Sequence, residues 1–359
     1  MKISIGMKLQ SGPWGGGNQF AVALSAYLKR QGADVVHHLL DKDIDLILLT
    51  EPRKSSLSSA FTDREIVEYL TCRNPEALVV HRINECDERK GTRDVNQLLM
   101  EANRCADHTV FIASWLQELF IRQGIGDKSR SVILNGADSS IFSTEGFTPW
   151  DHSSPLKIVT HHWGGNWLKG FDIYQELDAM LAEPAWKDRI AFTYIGRTPE
   201  GFRFSNTNHI QPLSGRQLAT ELRKHHIYVT ASRNEPAGMH HIEGAMCGMP
   251  LLFIESGALP EYCNGYGVSF TPETFRQKLE EIIASYDHWA GTLSGYPNSA
   301  EKMCENYHAL FSNLLARKKE LLALRDPLRP ATLFMKSSYM LNDIKRKIKY
   351  FRKSLQQER

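Results

Sequence analysis

The sequence predicts an α/β protein of two Rossmann-like domains facing across a cleft, and three observations predict it. Strand-like and helix-like patterns alternate along most of the chain. A polar, proline-bearing stretch at 143–155 interrupts that alternation, and a second series begins after it. At 359 residues the chain is long enough for two domains that each bury a core of their own.

In the first series the patterns place strands at 1–6, 35–38, 46–50, 78–82 and 109–112, with helices at 63–72, 93–105 and 114–123. An apolar helical face over 19–29 follows the glycine-rich loop Gly12-Pro13-Trp14-Gly15-Gly16-Gly17-Asn18. Glycines between a strand and a helix free backbone amides to face a phosphate or a sugar, though glycine alone is also consistent with a flexible connector. The loop has neither the Walker A pattern nor G-x-G-x-x-G, which weakens ATP and NAD readings. After the strand at 78–82, the run V-H-R-I-N-E-C-D-E-R-K crowds polar groups at a strand end, where open α/β sheets bind ligands. His81, Arg82, Asn84 and Asp87 are candidates there for substrate binding or proton handling, or are solvated loop groups.

The second series opens with a strand at 156–160 and the run H-H-W-G-G-N-W-L-K-G-F-D-I-Y, then a strand at 191–196 and a helix at 214–224. The stretch from Tyr228 to Cys263 is the richest of the chain. It reads as a strand, a loop holding Glu235, Pro236 and Gly238, a helix at 239–247, a buried strand at 250–254 and the turn S-G-A-L-P-E. Glu235 and Glu243, with seven residues between them, can accept hydrogen bonds from vicinal hydroxyls, which is how a protein holds a sugar or a ribose. Gly238 admits close approach of backbone N–H groups. The turn at 257–260 presents the positive end of a helix to an anion. Hydroxyl acceptors beside a phosphate cradle point to a nucleotide sugar. A strand at 267–270 and helices at 272–286 and 299–324 complete the series.

The residues E-P-A-G-M-H-H-I-E-G-A-M-C-G-M-P-L, followed by S-G-A-L-P-E, resemble the E-x7-E signature of retaining GT-B glycosyltransferases of the family 4 type. The resemblance covers about 1–320. It implies a GT-B fold: domains at 1–148 on the acceptor side and 149–300 on the nucleotide-sugar side, and a helix at 301–324 crossing back to the first domain; 325–359, outside the resemblance, reads as a basic tail. It also implies that Glu235 contacts the donor sugar and Glu243 the ribose, with Gly238, Met239, Gly257, Ala258 and Leu259 around the donor. By the same resemblance Lys169, in Lys169-Gly170, neutralises the diphosphate, and Gly15, Gly16, Gly17 and Asn18 face donor and acceptor. His81 or Arg82 falls near the family's acceptor-side histidine, and N-G-A-D at 135–138 matches the end of its first domain. His161-His162-Trp163 stands where the family usually has an arginine, and Arg197 or Asn166 is expected to compensate. The activity implied is a hexosyltransferase moving a sugar with retention from a nucleotide diphosphate to a glycan or lipid-linked acceptor, in polysaccharide or glycoconjugate assembly and without a bound metal. A nucleotide-sugar 2-epimerase of the same fold and a catalytically silent nucleotide-sugar-binding protein are the alternatives.

Composition narrows the field: 42% hydrophobic, 23% charged and a net charge of +2 argue against a general nucleic-acid binder. The apolar runs are strand-sized, and the amino-terminal residues read as a first strand instead of a signal peptide. Six cysteines without C-x-x-C spacing suggest reduced thiols, hence a cytoplasmic protein. The paired histidines show no H-x3-H spacing, so no metal site is expected. Near the end, Lys345, Arg346, Lys347, Lys349, Arg352 and Lys353 alternate with apolar residues. This is the pattern of a solvated terminal helix or of one lying on an anionic membrane face.

Overall fold

The computed structural model describes residues 1–10 and 15–325, together with Met340, Leu341, Ile344 and Ile348. The loop residues Gly12, Pro13 and Trp14, and the basic residues Lys345, Arg346, Lys347, Lys349, Arg352 and Lys353, lie outside the described residues.

Strands β1 (Lys2–Ile5), β2 (Asp34–Val36), β3 (Leu46–Leu49), β4 (Leu78–Ile83), β5 (His108–Phe111) and β6 (Ser129–Val132) form one parallel sheet in the order β2-β1-β3-β4-β5-β6. A second parallel sheet takes β7 (Leu156–His162), β8 (Ile190–Gly196), β9 (Asn208–Ile210), β10 (Ile227–Thr230), β11 (Leu251–Ile254) and β12 (Gly267–Phe270) in the order β12-β11-β10-β7-β8-β9. Runs such as L-I-L-L in β3 and L-L-F-I in β11 are buried throughout, as strands covered on both faces must be. The helices of the first lobe are α1 (Gly16–Arg30), α2 (Asp63–Cys72), α3 (Val95–Ala102) and α4 (Ser114–Arg122). α2 starts at Thr62 through a capping box with Glu65, which satisfies two otherwise orphaned backbone donors. The second lobe adds α5 (Phe171–Met180), α6 (Gly215–Leu222), α7 (His240–Met246), α8 (Leu259–Cys263), α9 (Phe275–Ala284) and α10 (Tyr286–Thr292).

In each sheet the order reverses beside the first strand: between β1 and β3 in one lobe, and between β7 and β10 in the other. The crevice beyond the strand ends at such a reversal is where doubly wound sheets bind ligands. Here the two crevices share one cavity.

The chain then returns. α11 (Ala300–Ala316) lies along α1, with the rings of Phe20 and Tyr307 5.1 Å apart, and both helices belong to the first lobe's core. The helix expected at 299–324 is broken at Arg317, whose ψ of 15° leaves the helical range. After the break comes α12 (Lys318–Leu324), and Arg325 beyond it pairs with the Asp107 carboxylate of the first lobe at 2.5 Å. Gly136 runs so close to Ser299 that a Cβ there would sit 2.0 Å from the Ser299 carbonyl oxygen. The six cysteines are free, and among the described residues no helix is long and apolar enough to cross a membrane.

Candidate functional site

The second lobe's crevice is assembled by two loops. After β7, the Asn166 side chain accepts from Leu168 N–H at 2.8 Å and caps a single 3-10 turn, Trp167–Lys169. Gly170 then takes φ +95°, and a Cβ there would lie 2.3 Å from that of Ala231, so only glycine lets this turn rest on the loop after β10. The contact delivers Lys169 Nζ to Glu235 Oε2 at 2.5 Å, and Ser232 Oγ donates to the same oxygen at 2.9 Å.

Behind Glu235 the residues after β11 act as a buttress. Ala258 N–H donates to the Glu235 carbonyl at 2.8 Å, and Asn234 N–H donates to Ser256 Oγ at 2.9 Å. Gly257, at φ +61°, would place a Cβ 2.5 Å from Glu235 N. From the opposite lobe Arg89, itself paired to Glu85 at 3.2 Å, brings Nε to 3.4 Å from Glu235 Oε1.

Glu235 is only 1% exposed. Burial by itself would raise its pKa, but the Lys169 ammonium and the Arg89 guanidinium override burial and hold the carboxyl well below the usual carboxylate range. It therefore stays ionised, with a cation from each lobe against it.

Glu243 lies on the first turn of α7 and accepts from His161 at 2.7 Å, at the end of β7. The Tyr228 hydroxyl accepts from His161 N–H at 3.1 Å and meets His161 Nδ1 at 3.1 Å, which fixes the ring. α7 approaches β10 closely because Gly244 lies flat on the Tyr228 ring, where a Cβ would fall 2.4 Å from a ring carbon. The neighbouring His162 and His240 are kept neutral by burial; His162 meets the Tyr174 hydroxyl at 2.8 Å and that of Thr160 at 3.5 Å, and His240 meets the Thr230 hydroxyl at 2.8 Å.

Between the lobes lies a cavity of about 430 Å³, the size of a small-ligand site. Gly16, Gly17, Arg82, Asn84, Asn166, Lys169, Glu235, Gly238, Met239 and Glu243 line it together. The other expected residues lie elsewhere. His81 is 0% exposed in the core, bonded to Asn103 at 3.0 Å, and burial drops its pKa to about 4. Asn18 is turned onto the Gln10 backbone, and Asp87 accepts from Val95 and Asn96 N–H at the start of α3. Arg197 stacks over Trp163, 5.1 Å from its centroid, and Asn166 spends its acceptor on its own turn, so neither puts a cation beside Lys169. Gly257, Ala258 and Leu259 support the Glu235 loop from behind; the helix they open, α8, is five residues long, and its Glu261 bonds Ser114 of the first lobe at 2.7 Å.

Sequence reasoning singled out neither Arg89 nor Asn135. Arg89 belongs to the charged run after β4, and that density of charge was the available signal. Asn135 belonged to N-G-A-D, and it bridges the lobes by donating from Nδ2 to the Ala237 carbonyl at 3.1 Å.

No family model matches the chain, and no curated protein resembles it at the sequence level. Solved structures do. HepE of Anabaena, determined with UDP and glucose, aligns over 88% of this chain and 100% of its own, with a TM-score of 0.64 and 14% identity. A glycosyltransferase of Rickettsia africae covers 88% of this chain and 98% of its own, at TM-score 0.63 and 12% identity. The lipopolysaccharide outer core galactosyltransferase WaaB, in its apo form, covers 88% and 100%, at TM-score 0.61 and 12% identity. With two parallel six-stranded lobes and a last long helix returning to the first, the chain has the GT-B fold.

Proposed function

We propose that the protein is a glycosyltransferase that moves a sugar from a nucleotide diphosphate to a hydroxyl acceptor, with retention at the anomeric carbon. The observation that carries this reading is the convergence of Glu235, Glu243 and Lys169 on one interlobe cavity at the second lobe's strand reversal. The bound UDP and glucose of HepE make a uridine nucleotide the first donor to test.

In this reading Glu243 accepts from the ribose hydroxyls and Glu235 from those of the transferred sugar. Lys169 faces the diphosphate. The role that the resemblance gives to an arginine ahead of Lys169 falls to Arg89, which comes from the other lobe. The acceptor oxygen bonds to the anomeric carbon on the face from which the phosphate oxygen departs. The acceptor's proton passes to that phosphate oxygen, and the nucleoside diphosphate leaves. Charge grows on the leaving phosphate, so cations already in place stabilise the transition state without reorganising. The acceptor belongs to glycan or glycoconjugate assembly, and the domains divide near 148.

Incubation with radiolabelled UDP-, GDP- and ADP-sugars tests the reading. Slow release of free sugar is expected from one of them. Formation of an isomerised nucleotide sugar would show an epimerase instead, and binding of a nucleotide without turnover would show a silent protein.

A further inference from the structure

Arg82, near the end of β4, is 1% exposed and lines the interlobe cavity. Its guanidinium lies 3.9 Å over the Phe20 ring. One terminal nitrogen donates to Asn135 Oδ1 at 2.9 Å; Nε and the other terminal nitrogen are buried and make no close hydrogen bond, and the neutral Tyr307 hydroxyl is the acceptor that approaches the guanidinium. The titratable groups that face it are the phenols of Tyr307 on α11 and Tyr262 on α8, both kept neutral by burial. Among the described residues it has no carboxylate partner. A guanidinium does not give up its proton in a protein, so Arg82 is a buried charge without a counter-ion. Arg89, on the same cavity, is matched by Glu85 and Glu235.

The orientation of Arg82 is set from both lobes. Asn135 takes the Tyr262 hydroxyl on its N–H at 2.7 Å and the Ala237 carbonyl on its side-chain amide, which leaves Oδ1 to hold the guanidinium. Beside it α1, fifteen residues long, opens on the cavity through Gly15, Gly16 and Gly17, with no side-chain cap and no acidic residue in its first turn. The positive end of a helix and a guanidinium without a carboxylate partner among the described residues thus line the same side of the cavity.

We propose that Arg82, with the amino end of α1, binds an anionic group on the sugar acceptor, a carboxylate or a phosphate ester. This rests on the glycosyltransferase reading above. Position favours the acceptor over the donor. Lys169, Glu235 and Arg89 gather at the second lobe's crevice, where the reading above puts the donor, whereas Arg82 stands on the first lobe's wall without a carboxylate of its own.

Ligand-observed NMR titrations of the full chain, saturated with UDP, compare glucuronate, glucose 6-phosphate and glucose as probes. At least one of the two anionic sugars is expected to bind tenfold or more tighter than glucose, and which one does so identifies the group. Arg82→Gln is expected to erase that preference while UDP affinity stays within twofold. Equal binding of the three sugars, or a preference that survives in Arg82→Gln, overturns the proposal. A tenfold loss of UDP affinity in the variant also overturns it, by assigning the guanidinium to the donor. If the wild type binds none of UDP, GDP or ADP, the underlying reading fails before any sugar is added. Melting of the ligand-free protein gives an independent check. Arg82→Met removes an unmatched buried charge and is expected to raise Tm, whereas a lower Tm would mark Arg82 as a structural support for Phe20 and Asn135 and overturn the proposal.

Discussion

At the second lobe's crevice, a carboxylate is closed in by Lys169, Ser232 and Arg89, and a second one is tied to His161. The first lobe's crevice, built on the same kind of parallel sheet, offers bare glycine amides and a guanidinium with open donors. One half of the cavity has its charges matched before any ligand arrives, and the other leaves positive groups to be matched. The shared topology fixes where ligands sit, but the side chains at the strand ends decide what they are.

The largest expected effect comes from the matched half. Glu235→Gln should lower kcat for donor hydrolysis by about 10²- to 10³-fold, the scale of removing one oriented polar group at a reacting centre. A variant with wild-type kcat would break the comparison outright. Arg89→Met should cost less, about tenfold in kcat/KM, because Lys169 still holds Glu235. It should also loosen the lobes, seen as a larger radius of gyration in small-angle scattering.

Gly257→Ala asks whether the buttress matters. The φ of +61° and the 2.5 Å approach to Glu235 N both oppose a Cβ, so about 1–3 kcal/mol of stability should be lost in urea melts. UDP affinity should fall with it, whereas Gly126→Ala, at a glycine whose Cβ would meet nothing, should change neither.

Acid should act on both lobes alike. Burial lowers His81 and His108 in the first lobe to about 4, and in the second lowers His226 to about 4 and His241 to about 3, from an ordinary 6.5. Below pH 6.5 the unfolded chain takes up protons at these sites that the folded chain does not. Stability therefore falls as pH drops from 6.5 towards 4, by up to about 1.4 kcal/mol per pH unit for each histidine. Urea transitions at pH 5 followed by tryptophan fluorescence and by circular dichroism should coincide. Separate transitions would show that one lobe depends on its histidines more than the other.

The fold was legible because buried parallel strands are written as continuous apolar runs, and α2 fell on its expected bounds, 63–72, through a capping box readable from Thr62 and Glu65. β6 was not read as a strand. Its sequence is S-R-S-V and it lies at the sheet edge, partly exposed, so it carries no apolar run. Glu235 and Glu243 were legible from their spacing, and Lys169 from the family resemblance of Lys169-Gly170. Arg89 and Asn135 were not singled out, since their significance arises only when one lobe is laid against the other, a contact that no local pattern encodes. His81 and Asp87 misled for the opposite reason. Each is a polar residue near a strand end, but one faces into the sheet's core and the other turns onto a helix start.

The close approach of Gly136 to Ser299 has a mechanical consequence. The polypeptide passes between the lobes on its way out and again on its way back, and these passages run side by side, joined through Ala137 and Ala300 at 2.8 Å. Two adjacent tethers permit rotation about their common line and resist sliding. Opening the jaws therefore separates Arg89 from Glu235 along one arc, and closing them returns the pair to register.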